Sequence, residues 1–129
     1  MKKTGKPTAA ELEILSVLWE RESATVKEVH ELLNANKPTG YTTVLKLMQI
    51  MREKGLVKRD DANKAHVFRA ASAQTETQQN LVADLIERAF RGSALKLVQH
   101  VLEAEPSSAE DLKAIRRMIC EAEKKGETK

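Results

Sequence analysis

Apolar residues recur at helical spacing in the first third of the chain, and each run opens on a capping signal. Thr8-Ala9-Ala10-Glu11 reads as a capping box, in which a threonine caps the helix and a glutamate three residues on reaches back. Leu12, Leu15, Leu18 and Trp19 follow on one face, which predicts a first helix over about 9–21. Thr25-Val26-Lys27-Glu28 repeats the signal. Behind it, Val26, Val29, Leu32 and Leu33 form the stripe of a second helix that stops near Asn34. Pro38 blocks continuation, and the turn 35–40 leads into a third helix over about 41–54, ended by Gly55.

The period then changes. Leu56 to Arg59 and His66 to Arg69 read as two short strands around the turn 60–64, hence a β-hairpin. The polar stretch Ser72 to Thr77 marks a boundary between residues 1–72 and 73–129. Beyond it, Leu81, Val82, Leu85, Ile86, Ala89 and Phe90 line a fourth helix over about 75–91, ended by Gly92. Leu95, Val98, Val101 and Leu102 line a fifth, over about 94–104. After Pro106, Ser107 or Ser108 caps a sixth helix whose seam Leu112, Ile115, Ile119 and Ala122 has coiled-coil-like spacing. Lys124 to Lys129 reads as a frayed end.

The fold class predicted is mostly α: a winged helix-turn-helix with a small hairpin wing, then a C-terminal three-helix dimerisation region. In such folds the third helix lies in the major groove and the hairpin touches flanking backbone. On the third helix, Tyr41, Val44, Leu47, Met48 and Met51 share the apolar side. Thr42, Lys46, Gln49 and Glu53 share the opposite side, flanked by Leu45 and Ile50. Lysine donates to guanine O6 or N7, glutamine pairs with adenine, and Thr42, Thr43 or Leu45 suits a thymine methyl. Thr39, Gly40 and Thr43 suit a phosphate at the helix N-terminus. Arg52, Lys54, Lys58, Arg59, Lys64 and Arg69 supply cations for phosphates, whereas Asp60 and Asp61 keep the wing tip out of a groove. His66 reads as a half-exposed strand residue, and a solvated helix face is the plain alternative for the polar stripe.

Composition sharpens this picture little and excludes much. The net charge of +3 is uneven: residues 1–72 carry +4 and residues 73–129 carry −1. With four aromatic residues the core must be aliphatic. The apolar runs are too short for membrane insertion, and MKKTGKP has no apolar stretch behind its basic start, so no secretory signal is expected. One cysteine, Cys120, forms no internal disulfide, which fits the cytoplasm; beside Ile119 it reads as buried or half-buried. His30, His66 and His100 stand on three different elements, so no metal site and no cofactor is expected. Trp19 reads as a core anchor near the tail junction. Glycine-rich phosphate loops, nucleophile elbows and paired carboxylates are missing, which argues against an enzyme.

From Pro7 to Arg69 the chain resembles the penicillinase-repressor family (BlaI/MecI type, which includes copper-responsive repressors). The residues carrying the resemblance are TAAELEILSVLWE (8–20), ATVKEVHELLN (24–34), GYTTVLKLMQIMREKGLVKR (40–59) and AHVFRA (65–70). RAFRGSALKLVQHVLE (88–103) and SSAEDLKAIRRMI (107–119) extend it over nearly the whole chain. Tyr-Thr-Thr-Val with the distal Lys-Gly-Leu-Val is its most specific piece. The resemblance implies a homodimeric repressor of an antibiotic-response type on a palindromic duplex-DNA operator, with Tyr41, Thr42, Thr43 and Lys46 in the reading segment. It also implies dimerisation through the C-terminal helices and induction by a membrane sensor-protease pathway that cuts the fifth helix. A lone Cys120 departs from the clustered cysteines of the copper-responsive branch. The dimer face expected comprises Leu81, Leu85, Ile86, Phe90, Val98, Val101, Leu112, Ile115 and Ile119, since three one-faced helices leave much apolar surface wet in a monomer. The competing expectation is a winged-helix protein-interaction module without specific DNA binding.

Overall fold

Thr8 and Thr25 start the first two helices as their spacing requires. In α1 (Ala9–Arg21), Thr8 Oγ1 accepts the Glu11 N–H at 3.2 Å and Glu11 Oε1 accepts the Thr8 N–H at 2.9 Å. In α2 (Val26–Asn36), Thr25 and Glu28 repeat the exchange at 3.1 and 2.9 Å. Each reciprocal pair satisfies two amide donors that a helix start leaves without partners. α2 runs two residues past Asn34, because the Lys37 N–H still reaches Leu33 O at 3.0 Å before Pro38 breaks the ladder. α3 (Tyr41–Lys54) has the span expected. Gly55 closes it at φ 87°, a left-handed conformation that a Cβ would strain.

This computed structural model describes residues 6–61, 66–104 and 107–127. It divides into two compact units, Met1–Val82 and Ala83–Lys129. In the first unit, α3 is followed by the antiparallel strands β1 (Val57–Asp60) and β2 (Val67–Ala70). Each strand begins one residue later than the sequence pattern indicates. Leu56 N–H is held by Met51 O at 2.9 Å as part of the helix end, so pairing starts at Val57. The register sets Val57 against Ala70, Lys58 against Arg69, Arg59 against Phe68 and Asp60 against Val67. A pairing with no sequence signal adds a third, one-residue strand: Ala24 and Phe68 exchange both backbone hydrogen bonds, at 3.0 and 2.8 Å.

The core of this unit lies between the three helices and the hairpin. Ile14, Leu15 and Leu18 of α1, Val29 of α2 and Val44, Met48 and Met51 of α3 are fully enclosed. Val57 and Phe68 close it from the hairpin side. Each such side chain contributes about 1.5–3 kcal/mol by leaving water, so the three from α3 fix which side of that helix faces out. Trp19 is half-buried, and its indole N–H donates to Ser72 O at 2.9 Å, the anchor near the tail junction that its position indicates.

Beyond the hairpin, α4 (Gln74–Ala89) ends two residues earlier than its apolar run indicates. Arg91 and Gly92 both take positive φ, and the Gly92 N–H donates back to Ile86 O at 2.9 Å, which terminates the helix. α5 (Ala94–Ala104) and α6 (Ala109–Glu127) follow. Ser108, rather than Ser107, caps α6, accepting the Asp111 N–H at 3.0 Å. α6 stays helical through Lys124–Glu127, where the polar sequence reads as frayed. Phe90 packs on His100 with ring centroids 5.6 Å apart. None of the described residues of α4, α5 or α6 is buried; Leu95 is 78% and Ile119 52% exposed. Cys120 is also exposed, not enclosed as its place beside Ile119 suggests, since Ile119 is itself 52% exposed.

Candidate nucleic-acid interface

Because Val44, Met48 and Met51 are sealed in the core, the opposite side of α3 is free by construction. Thr42, Thr43, Lys46, Gln49 and Arg52 are all exposed along it. Leu45 is half-buried and Ile50 exposed, as flanking positions should be. Tyr41 departs from the apolar side to which spacing assigns it. It is 46% exposed, with its ring edge-on to His30 at 5.7 Å and 83° between planes, because the first turn of α3 projects beyond the core. Gly40 is the N-cap and offers no side-chain cap, so among the described residues no side-chain oxygen caps the first amides of α3. Such an end carries about half a positive charge and accommodates an anion.

The turn that leads into α3 is tightly tied. Thr39 N–H donates to Asn34 Oδ1 at 2.9 Å, and its hydroxyl donates to Lys37 O at 2.8 Å. His30 Nε2–H donates to Thr39 O at 2.8 Å. With amide and hydroxyl both committed, Thr39 fixes the turn, next to the exposed Gly40.

The cations sort into two groups. Arg52 is exposed, with no side-chain partner among the described residues. Lys58 and Arg69 stand directly opposite each other in the hairpin register, both exposed and both without an ion-pair partner among the described residues. Like charges placed so are unfavourable alone, and an anion between them reverses the sign. The second group is committed elsewhere. Lys54 Nζ lies 2.9 and 3.0 Å from the two oxygens of Glu11, a carboxylate only 2% exposed. The sequence pattern places Lys54 in the phosphate ring; the fold gives its ammonium to α1, because the C-terminal end of α3 abuts the start of α1. Arg59 lies on the core-facing side of β1 and pairs with Asp61, Nε to Oδ1 at 2.7 Å. Lys64 lies outside the described residues.

His66 precedes β2 instead of belonging to it, and its Nδ1 approaches Asp61 Oδ1 at 2.8 Å. Partial desolvation pushes the Asp61 carboxyl upward, but the hydrogen bonds from His66 and Arg59 outweigh it and hold the group below its ordinary value. Gln49, Arg52 and Glu53 of α3 share a cleft with Arg59 and Phe68, so the outer side of α3 and the hairpin form one continuous surface. Sequence reasoning missed three polar residues that support this surface: Glu11, His30 and Asn34. Glu11 had a signal as a capping residue, but its second partner lies 43 positions away. His30 and Asn34 are one helical turn apart on α2, a spacing that marks a shared face but no target.

Among the described residues, no group of three or more His, Cys, Asp or Glu side chains suited to a metal ion occurs, and no helix is long and apolar enough to cross a membrane. The sequence profile of the penicillinase repressor family matches residues 7–121. The transcriptional regulator BlaI of Mycobacterium tuberculosis is 31% identical over 112 residues, covering 85% of this chain and 80% of that protein. The methicillin resistance regulatory protein MecI of Staphylococcus aureus is 20% identical over 117 residues, covering 91% of this chain and 95% of that one. Among solved structures, the DNA binding domain of the repressor BlaI superposes with a TM-score of 0.52 at 22% identity, over 59% of this chain and 93% of that domain, which establishes the winged-helix fold. The relatives are regulators, not enzymes, and by the extent of the match the chain belongs to the penicillinase repressor family of transcriptional repressors.

Proposed function

We propose that this protein is a dimeric repressor that binds a palindromic duplex operator through the outer side of α3. One observation carries the reading: Thr42, Lys46 and Gln49 stand in an exposed row on a helix whose other side is sealed into the core. Base-reading chemistry therefore sits where the domain has no internal use for it. Tyr41, Thr43 and the amides behind Gly40 serve the adjoining phosphates, with Arg52, Lys58 and Arg69 along the backbone. Lys54 and Arg59 contribute indirectly, by holding α3 and the hairpin in place. Residues 1–72 form the reading domain and residues 73–129 the dimerisation region in this proposal.

The exposed apolar side chains of α4–α6 support the second half of the reading. Leu85, Val98, Val101, Leu112 and Ile119 are each more than two-fifths exposed, and Leu81, Ile86, Phe90 and Ile115 are half-buried. A second copy would cover them in an isologous interface and set two α3 helices on half-sites about one DNA turn apart. Gln99 and His100 are exposed and lie outside the apolar set assigned to the interface, so a sensor-protease pathway acting in the cytoplasm would approach α5 from their side. A cut there separates α6 from the rest and lowers affinity through loss of the dimer.

The test uses a duplex selected by the wild-type protein from a random-sequence pool. Lys46→Ala or Thr42→Ala weakens binding to it by about 1–3 kcal/mol if each side chain reads a base. Unchanged affinity in both variants would refute the assignment of the reading side.

A further inference from the structure

The geometry points to His30 and Asn34 as positioning residues that hold the start of the recognition helix from α2, an inference that rests on the DNA-reading role of α3. The two lie one turn apart and so share one side of α2. They take the two backbone polar groups of a single residue: Asn34 Oδ1 accepts the Thr39 N–H at 2.9 Å, and His30 Nε2–H donates to Thr39 O at 2.8 Å. Neither group belongs to the helix ladder. The first acceptor of α3 is Gly40 O, bonded to Val44 N–H at 3.2 Å, so Thr39 O is spare and would otherwise be left to water. Gripping both sides of one residue removes its freedom to rotate about the chain axis. That residue immediately precedes the uncapped Gly40, so the grip sets where the free amides of α3 point.

His30 has a second effect through its ring. Tyr41, the first residue of α3 and exposed, stands edge-on to it at 5.7 Å. One imidazole therefore fixes both the direction of the chain into α3 and the plane of the first side chain on the reading surface. His30 is half-buried and contacts the turn, so it needs no DNA contact of its own to act. The donor required is Nε2–H, which a leucine lacks and a glutamine amide can replace.

The full-length protein is compared as wild type, His30→Leu, His30→Gln and Asn34→Ala, on the duplex it selects from a random pool and on a scrambled duplex. Loss of one neutral hydrogen bond that orients a reader predicts that His30→Leu weakens selected-duplex binding about fivefold to tenfold, with scrambled-duplex binding unchanged. His30→Gln restores most of the loss, and Asn34→Ala lowers the same ratio of selected to scrambled affinity. A role confined to stability would lower the melting temperature and reduce both affinities in proportion. Proportional loss, failure of glutamine to restore the ratio, or wild-type discrimination in His30→Leu overturns the grip. Should His30→Leu fail to fold, wild-type discrimination in Asn34→Ala overturns it. A wild-type protein that enriches no sequence from the pool overturns the reading role of α3 and the grip together.

Discussion

Replacing Lys54 by methionine keeps an unbranched apolar stem of similar reach and removes the ammonium. In the folded protein that ammonium is bonded to both oxygens of Glu11, at 2.9 and 3.0 Å, while the Thr8 N–H reaches only Oε1. Lys54→Met therefore strands Oε2 on a residue that is 2% exposed. An orphaned buried acceptor costs about 1–3 kcal/mol, and a fully buried pair broken on one side costs about 3–5 kcal/mol. The lysine is itself 30% exposed, so water can follow the vacated stem and the lower range applies. Glu11→Gln is milder, about 1 kcal/mol, because the Thr8 bond survives and the ammonium turns to solvent. The asymmetry gives a sharp test by urea unfolding: adding Glu11→Gln to Lys54→Met recovers stability, since it removes the stranded charge. Additive losses in the double variant, or a Lys54→Met protein within about 0.5 kcal/mol of wild type, would refute the reasoning.

In salt titrations of DNA binding, Arg52→Ala, Lys58→Ala and Arg69→Ala each reduce the slope of log affinity against log salt by about 0.9, whereas Lys54→Met and Arg59→Ala leave it near wild type. Reduced slopes for the latter two would show that their carboxylate partners release them on DNA. Ile115→Asp, or a truncation ending near Ala73, yields a monomer by sedimentation that loses about 10²–10⁴ of its affinity for the full palindrome; a monomer with wild-type affinity would refute the dimer mechanism. Asp61 titrates below the ordinary carboxylate range, because the His66 and Arg59 bonds outweigh its desolvation. A depressed folded value means that its contribution to the hairpin is present above the unfolded pKa and is lost as pH falls through the folded one. NMR titration of the Asp61 carboxyl checks this, and a midpoint at or above the ordinary value would refute it.

The helices of the first unit were legible in the chain before folding, because their signals are local. Thr8/Glu11 and Thr25/Glu28 are reciprocal contacts three residues apart, Gly55 is a single conformational requirement, and the spacing of Val44, Met48 and Met51 dictates which side of α3 is sealed. The exposed row Thr42, Lys46 and Gln49 followed from the same periodicity. Elements without a local signal were settled only by tertiary structure. The Ala24–Phe68 pairing joins positions 44 residues apart and has no pattern of its own. Whether a lysine at the end of α3 faces a phosphate or a buried carboxylate depended on where α1 starts in space, and that contact spans 43 residues. The alternation of β1 indicated that Lys58 and Arg59 point opposite ways, but the register against β2 decided which one meets Arg69 and which one Phe68. Burial and pairing at long range are properties of packed surfaces, and a one-dimensional period carries neither.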